Sequence, residues 1–194
     1  MSELRVSQAQ KAKSRQKILT LAAIQIKERV LASIAIAELM KRAGLTQGAL
    51  YGHFASRAEL LLEATKEAKK IPEQLLRDIA ARKKKLALSD VIDVYLNDVH
   101  INNPGYGCVV CALVSEGRSA PKAIRTELSE NYRNQIKFVK RALTGKSSET
   151  RAIGILSALM GAVSLARTLN DPELVRGILK ETKRLILDSQ KNNE

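Results

Sequence analysis

The apolar positions of this chain recur with the period of an α-helix rather than that of a β-strand. The clearest case lies between residues 36 and 43, where apolar side chains recur at i, i+3, i+4 and i+7 and so share one helix face. The members of this face are Ile36, Leu39, Met40 and Ala43. Gly44 follows, at the place where a helix end favours a residue that tolerates positive φ. The pattern therefore predicts a short helix that ends at a glycine turn.

A second short helix is predicted directly after this turn. Thr46 is placed to cap it, and Leu50 and Phe54, four residues apart, form its inner face. Residues 56–59, Ser-Arg-Ala-Glu, have the spacing of a capping box, which predicts a further helix from Arg57. Two short helices joined through a glycine turn form a helix-turn-helix, whose second helix enters the DNA major groove.

Helical periodicity continues to the C-terminus, so the expected fold class is all-α, with about nine helices. Helix one is expected over about 14–29, after a polar, basic and disordered segment, 1–13. Pro72 is expected to kink or end the fourth helix, because proline lacks an N–H. Helix five is expected to begin at Ser89, helix six to include residues 108–117, and helix seven to begin at Pro121. The inner stripe of helix five is predicted to be Ile92, Tyr95, Leu96 and Val99.

Residues 43–61 (AGLTQGALYGHFASRAELL) resemble the DNA-binding signature of the tetracycline-repressor (TetR) family of bacterial transcriptional regulators. Upstream, residues 18, 19 and 22 match the first helix of that family, and the signature covers 15–62. The family usually has an aromatic residue near the end of helix one, then a glycine, then Thr or Ser. This chain departs from that pattern, with Ile26, Val30, Ile34 and Ala35 at those places. The resemblance implies a helix-turn-helix DNA-binding domain over 1–62 and an effector-binding and dimerisation domain over 63–194.

The second helix of the helix-turn-helix supplies most of the candidate DNA contacts. Gln47 can pair with adenine in a bidentate way, whereas glycine and alanine at 48, 49 and 52 let the backbone lie deep in the groove. The resemblance implies that Tyr51 and Arg57 hold phosphates, and packing in the core is the alternative role of the Tyr51 side chain. Arg15 is placed to reach a phosphate, and the alternative is that it is a surface arginine without a DNA contact. The candidate DNA-binding residues are Thr46, Gln47, Gly48, Ala49, Tyr51, His53, Arg57 and Arg15.

The positive net charge of the sequence supports a polyanionic binding partner. The formal net charge is +13, and residues 1–70 hold 13 Lys and Arg against 6 Asp and Glu. This excess favours double-stranded DNA over a membrane surface. The most apolar run, 153–166, is shorter than the roughly 20 residues that span a bilayer, and no signal peptide is visible. We therefore expect a cytoplasmic protein that does not associate with a membrane.

Catalytic, metal-binding and cofactor motifs are not apparent, so neither an enzyme nor a cofactor is expected. The main alternative to a ligand-responsive repressor is a thiol-based redox or metal-responsive regulator that uses Cys108 and Cys111, with His100 as a third metal ligand. The flanking valines and alanine favour packing instead. For an effector, we expect a mostly apolar pocket among helices five to eight. Its candidate residues are Tyr95, Cys108, Cys111, Tyr132 and Met160.

Helix eight, residues 153–166, is apolar on every side and must be buried all round. Because its own domain covers only one face, the other face requires a partner. Close approach of another helix is allowed by Gly154, Ala158, Gly161 and Ala162. Helix nine, from Pro172, is expected to turn inward Val175, Ile178, Leu179, Thr182 and Ile186. The sequence thus predicts a two-fold homodimer through helices eight and nine, which would match a palindromic operator.

Overall fold

The computed structural model describes residues 2–29, 31–70, 86–143 and 148–191, together with residues 74, 78, 79, 81 and 82. This part of the chain consists of helices and short connections and contains no β-strand, which confirms the predicted all-α fold class. Its nine α-helices are α1 (Ser2–Glu28), α2 (Ile36–Ala43), α3 (Arg57–Ala68), α4 (Leu88–Tyr95), α5 (Asp98–Asn102), α6 (Val109–Leu113), α7 (Lys122–Arg141), α8 (Ser148–Thr168) and α9 (Pro172–Lys191). Short 3₁₀ turns lie at Leu31–Ser33, Gln47–Gly52 and Pro104–Tyr106. Pro72, with its predicted kink, and Val30 lie outside the described residues.

Helix α1 is longer than predicted. It begins at Ser2, so the predicted disorder of the basic N-terminal segment is wrong for residues 2–13. The cause is local, since residues 2–28 contain no proline or glycine and many Ala, Gln, Lys and Arg residues of high helix propensity. The inner face is as predicted, with Ile18, Ala22 and Ile26 fully buried.

The helix-turn-helix differs from prediction in its second helix. Gly44 has the expected left-handed conformation, with φ +79°, and Leu50 and Phe54 are buried. However, Gln47–Gly52 form a 3₁₀ helix, and the Thr46 side chain makes no capping hydrogen bond. The two glycines of this six-residue segment disfavour α-helical propagation. We call Gln47–Gly52 the recognition segment.

The predicted start of α3 is confirmed. The Ser56 hydroxyl accepts a hydrogen bond from the Glu59 N–H at 3.1 Å. Glu59 in turn accepts from the Ala55 N–H at 2.6 Å, so the return bond of the capping box goes to the residue before the cap.

Helix five of the prediction is two helices in the structure. Helix α4 is capped at Ala87, not Ser89, and the Asp90 carboxylate accepts from the Ala87 N–H at 3.0 Å. The helix ends at Tyr95, because the Asn97 side chain caps a new helix, α5, by accepting a hydrogen bond from the His100 N–H at 2.8 Å. The break rotates Val99 outward to 66% exposure, so its predicted inward position is wrong. Likewise, α6 is shorter than helix six of the prediction and ends at Leu113.

The buried residues form two cores. The first joins α1, α2, α3 and the recognition segment to residues from α6 and α7, including Val109, Leu113 and Ile124. The second lies between α4, α6, α7, α8 and α9. Val110 packs against both cores, so α6 lies between them.

Helix α8 buries one side and exposes the other within a single chain. Its exposed arc comprises Ile153, Gly154, Ser157, Gly161, Leu165 and Thr168. Ile153 and Leu165 are 42% and 47% exposed, and no atom lies within 4 Å of a Cβ built on either glycine. Of the predicted inward residues of α9, only Ile186 is fully buried, while Leu174 and Leu185 are 50% and 66% exposed.

By length and composition, residues Glu149–Thr168 can also cross a bilayer. The prediction that the apolar run is too short is therefore wrong, because the helix extends beyond the run at both ends. Within the most apolar window 39% of residues are buried, and the core helix of a soluble protein meets the same criteria, so this is weak support for a membrane span.

Candidate nucleic-acid interface and effector site

The recognition segment forms an exposed ridge. Tyr51 is 71% exposed, which rules out core packing as the role of its side chain. Thr46, Gln47 and Gly48 are also exposed, whereas Ala49 is half-buried against the first core. A Cβ built on Gly48 or on Gly52 would meet no atom within 4 Å. The ridge therefore offers two long polar side chains, at 47 and 51, beside accessible backbone.

His53 is less exposed than the other polar candidates. Its ring is half-buried beside Phe54, and Nδ1 has no hydrogen-bond partner among the described residues. The pKa of His53 is lowered, first by burial and then by repulsion from Lys11 and Arg15. The imidazole is thus held toward its neutral form at the inner edge of the ridge.

Arg15 ties α1 to the end of the recognition segment. Its guanidinium lies 4.7 Å from the centre of the Phe54 ring and donates to the His53 carbonyl at 3.4 Å. It also forms ion pairs with Glu63 at 3.6 Å and Glu59 at 4.0 Å. Because its partners all belong to the fold, the structure places Arg15 as a support of the ridge.

Arg57, the first residue of α3, contacts the connection between α1 and α2. Its Nη2 donates to the carbonyls of Leu31, Ala32 and Ile34 at 2.9, 3.3 and 3.4 Å. Sequence reasoning missed this contact, and no sequence signal identifies it, because all three acceptors are backbone carbonyls.

Further cations lie around the Gly44 turn. Lys41 and Arg42 are exposed in the last turn of α2. Lys17 Nζ lies 3.9 Å from a Cβ built on Gly44. These three residues were not among the candidate DNA contacts, although the basic excess of residues 1–70 pointed to them.

Four of the five candidate effector-site residues lie together in the second core. Tyr95, Cys108, Cys111 and Met160 are each at most 8% exposed. Tyr132 is half-buried at the edge of this core, where its hydroxyl bonds the Ser157 hydroxyl at 2.9 Å.

Two polar residues of α7 complete this cluster and were missed. The Tyr95 hydroxyl donates to the Gln135 side-chain oxygen, and Gln135 donates to the Cys108 sulfur at 3.3 Å and to the Asn131 side chain. Asn131 is 2% exposed. The apolar periodicity of α7 predicts Tyr132 and Ile136 as inward residues, and these are the sequence neighbours of Asn131 and Gln135.

His100 has both ring nitrogens engaged. Its Nε2 accepts from the Cys108 N–H at 3.1 Å, so Nδ1 carries the proton and donates to the Tyr95 carbonyl at 2.7 Å. Burial and the nearby cations Arg167 and Lys27 lower the pKa of His100 and so favour this neutral tautomer. His100 therefore holds the start of α6 against the end of α4.

The Cys111 thiol is packed rather than activated. Cys111 bonds the Ser164 hydroxyl at 3.5 Å and the Met160 carbonyl at 3.7 Å, and burial raises the pKa of its thiol. A raised pKa lowers the thiolate fraction that redox chemistry requires. Within the described ranges, no three His, Cys, Asp or Glu side chains are grouped so as to hold a metal ion.

Comparison with known protein families agrees with the helix-turn-helix seen in the structure. Residues 18–64 match the model of the tetR family of bacterial regulatory proteins. No curated protein matches the sequence.

Several solved structures share the fold. One is a TetR transcriptional regulator from Chloroflexus aurantiacus J-10-FL, with TM-score 0.75 and 20% identity over 92% of this chain and 96% of that one. The reduced form of NemR from E. coli has TM-score 0.74 and 17% identity over 89% and 96% of the two chains. A TetR transcriptional regulator from Legionella pneumophila has TM-score 0.73 and 18% identity over 87% and 95%.

These likenesses extend over both cores, whereas the family match covers the helix-turn-helix. The described chain has the fold of these regulators, and its helix-turn-helix is similar to that of the tetR family of bacterial regulatory proteins.

Proposed function

We propose that this protein is a ligand-responsive transcriptional repressor that binds a palindromic operator as a homodimer in the cytoplasm. The observation that carries this proposal is the recognition segment, which presents Gln47 and the 71% exposed Tyr51 on a rigid ridge. Residues 1–62 serve as the DNA-binding domain, and 63–194 as the effector-binding and dimerisation domain.

On DNA, the ridge enters the major groove with its glycines nearest the base edges. Gln47 reads a base, because an amide pairs with adenine in a bidentate way. Thr46 and Tyr51 hold phosphates, which fix the position of the protein without reading the sequence. Arg57 holds the turn before α2 through Nη2 and reaches a phosphate through the rest of its guanidinium. The backbone at Gly48 and Ala49 lies against the groove floor. Arg15 and His53 act mainly by supporting the ridge.

The effector binds among α4, α6, α7 and α8. Its site presents apolar walls and a few neutral polar groups, namely the Tyr95 hydroxyl, the Gln135 amide and the thiols of Cys108 and Cys111. Met160 and Tyr132 lie at the sides. Among the described residues of the cluster no carboxylate is bonded, and the nearby Arg167 guanidinium, 4.0 Å from the Cys111 sulfur, also donates to the carbonyls of Ile101 and His100. A mostly apolar effector suits this lining. Binding shifts the dimer toward a state whose recognition segments no longer match the operator.

Selection of an operator from a random pool of duplex DNA tests the proposal. The wild-type chain is expected to enrich a palindrome and to bind it with a steep decrease in affinity as salt rises. The double variant Cys108→Ser and Cys111→Ser, assayed with and without hydrogen peroxide, separates ligand response from thiol response. Enrichment of no sequence would refute the repressor function, and release of DNA by peroxide from the wild type alone would support the redox alternative.

A further inference from the structure

The 3₁₀ turn Leu31–Ser33, between α1 and α2, is bonded from two sides. The Leu31 N–H donates to the Glu116 carboxylate at 2.7 Å. The carbonyls of Leu31, Ala32 and Ile34 accept from Arg57, with the shortest contact at 2.9 Å. Glu116 belongs to the segment after α6, and Arg57 begins α3. One residue from each proposed domain thus holds the same turn.

This turn matters because α2 has no side-chain cap. Its N-cap residue is Ala35, which accepts no hydrogen bond through its side chain. A Ser, Thr, Asp or Asn at that place would fix the helix start by itself. Here the preceding turn has to fix it, so the contacts of Glu116 and Arg57 set where α2 begins. The recognition segment follows α2 after the Gly44 turn and depends on the same placement.

Glu116 is in turn tied to the candidate effector site through α6. The turn after α6 is closed by bonds from the Glu116 and Gly117 N–H groups to the Leu113 carbonyl, at 3.2 and 2.8 Å. At its other end, α6 begins at Cys108, whose N–H is bonded to His100. Helix α6 has only five residues and Leu113 is fully buried. A displacement of the backbone at the cysteines is therefore expected to displace Glu116 as well.

We infer that Glu116 is a positioning residue that couples the effector site to the helix-turn-helix by holding the Leu31 N–H. This inference rests on the proposed function and names the contact through which it is regulated. A bond to an ionised carboxylate is stronger than a neutral one, so its loss has a measurable cost. In this arrangement a ligand that shifts α6 withdraws Glu116, and the start of α2 loses the support that comes from the second proposed domain, while Arg57 and the Arg29–Glu38 ion pair remain.

The test uses the full-length chain and an operator selected from random duplex DNA. Glu116→Ala is expected to lower operator affinity about tenfold, on the scale of a lost hydrogen bond to a charged group. Removing an acid raises the net positive charge, so electrostatics alone would raise the affinity. Glu130→Ala, at an exposed acid of α7, is the matched control for charge. Glu116→Gln keeps an acceptor and is expected to stay within about threefold of the wild type.

The Leu31 amide provides a readout that a general loss of stability would not reproduce. In Glu116→Ala its hydrogen exchange is expected to accelerate selectively, relative to buried amides of α3. Operator affinity equal to that of Glu130→Ala would overturn the inference, and so would unchanged exchange at Leu31.

If Glu116→Ala does not fold, Glu116→Asp replaces it, because the shorter side chain cannot span the present 2.7 Å contact. Equal operator affinity of the Asp and Gln variants then overturns the inference. Failure of the wild type to select any operator would instead count against the proposed function, while exchange at Leu31 still decides whether the contact operates.

Discussion

At the scale of single residues, the polar side chains around the helix-turn-helix divide by what they contact. Arg15 and Arg57 are bonded to carbonyls and carboxylates of the fold. Gln47 and Tyr51 project from the ridge into solvent. The first pair positions the ridge, and the second is the pair proposed to meet DNA directly, so substitutions in the two pairs are expected to have different signatures.

Gln47→Ala is expected to relax sequence preference, because base edges carry the sequence information. Its expected cost at the contacted base pair is about 1–3 kcal/mol, with little change on non-specific DNA. Tyr51→Phe is expected to weaken binding to all sequences alike and to reduce a hydroxyl contact with phosphate. Titrations against operator and single-base variants measure both. Equal loss of specificity in the two variants would contradict this division of roles.

A second residue-scale prediction concerns Lys27, which is 4% exposed and whose ammonium donates to the Ala68 carbonyl at 3.4 Å. Burial lowers the pKa of Lys27 from 10.5 to about 8. Below pH 8 the folded state therefore carries a charge that is better solvated in the unfolded chain. Lys27→Met is expected to raise the free energy of unfolding at pH 7 by up to about 3 kcal/mol.

The sign of this effect fixes its pH dependence. Between the folded and unfolded pKa values of Lys27 the unfolded chain binds more protons, so the wild type gains stability as pH rises from about 8 toward 10.5. The difference between wild type and Lys27→Met is therefore expected to shrink by pH 10. Urea unfolding at one protein concentration and several pH values measures it. A constant difference would show that lost packing, not charge, dominates.

At the scale of elements, the recognition segment illustrates what the sequence determines. The positions of Gly44, Leu50 and Phe54 specify a turn and two anchors, and these were predicted from spacing. The 3₁₀ form was not predicted, because the two glycines of the segment, which disfavour α-helical propagation, were interpreted only as allowing close approach to DNA. The break at Asn97 was missed for a related reason: its side chain can cap α5 or face solvent, and tertiary contacts decide.

Glycines 44 and 48 are expected to respond differently to alanine. Gly44 has φ +79°, where a Cβ is strained, so Gly44→Ala is expected to destabilise the fold by about 1 kcal/mol. Gly48 has open space around its Cα, so Gly48→Ala is expected to leave thermal stability almost unchanged. Its methyl group would instead meet the groove floor and weaken DNA binding. Calorimetry with parallel operator titration tests this pair, and unchanged DNA binding by Gly48→Ala would remove the segment from the interface.

The candidate effector site was predictable only in part. Apolar periodicity located Tyr95, Met160 and the cysteines, since buried positions recur with the helix period. It did not locate Gln135 or Asn131, because these are polar side chains that pair with each other by a hydrogen bond and leave no apolar pattern in the sequence. Long-range partners such as Glu116 and Leu31 lie 85 residues apart and leave no pattern in one sequence.

At the scale of the whole molecule, α6 lies between two cores, and apolar residues are exposed on α8 and α9 within the described chain. The surface proposed to pair comprises Ile153, Gly154, Gly161, Leu165, Leu174 and Leu185. The apolar residues of such an arc gain about 25 cal/mol for every Å² removed from water. In the proposed homodimer a second copy of the chain would cover it symmetrically, because a two-fold axis brings the same patch of both copies together.

Leu165→Glu is expected to split this dimer. The residue is 47% exposed in one chain and faces the partner in the proposed interface, so a carboxylate there would be buried without a counter-charge. Val114→Glu, at a residue directly after α6 that is 61% exposed, is the matched control. Sedimentation at micromolar protein is expected to show a dimer for the wild type and control, and a monomer for Leu165→Glu. Operator affinity should fall with the dimer, because two recognition segments about 34–36 Å apart are needed to contact successive major grooves. A monomeric wild type, or a Leu165→Glu variant that remains dimeric, would place the interface elsewhere.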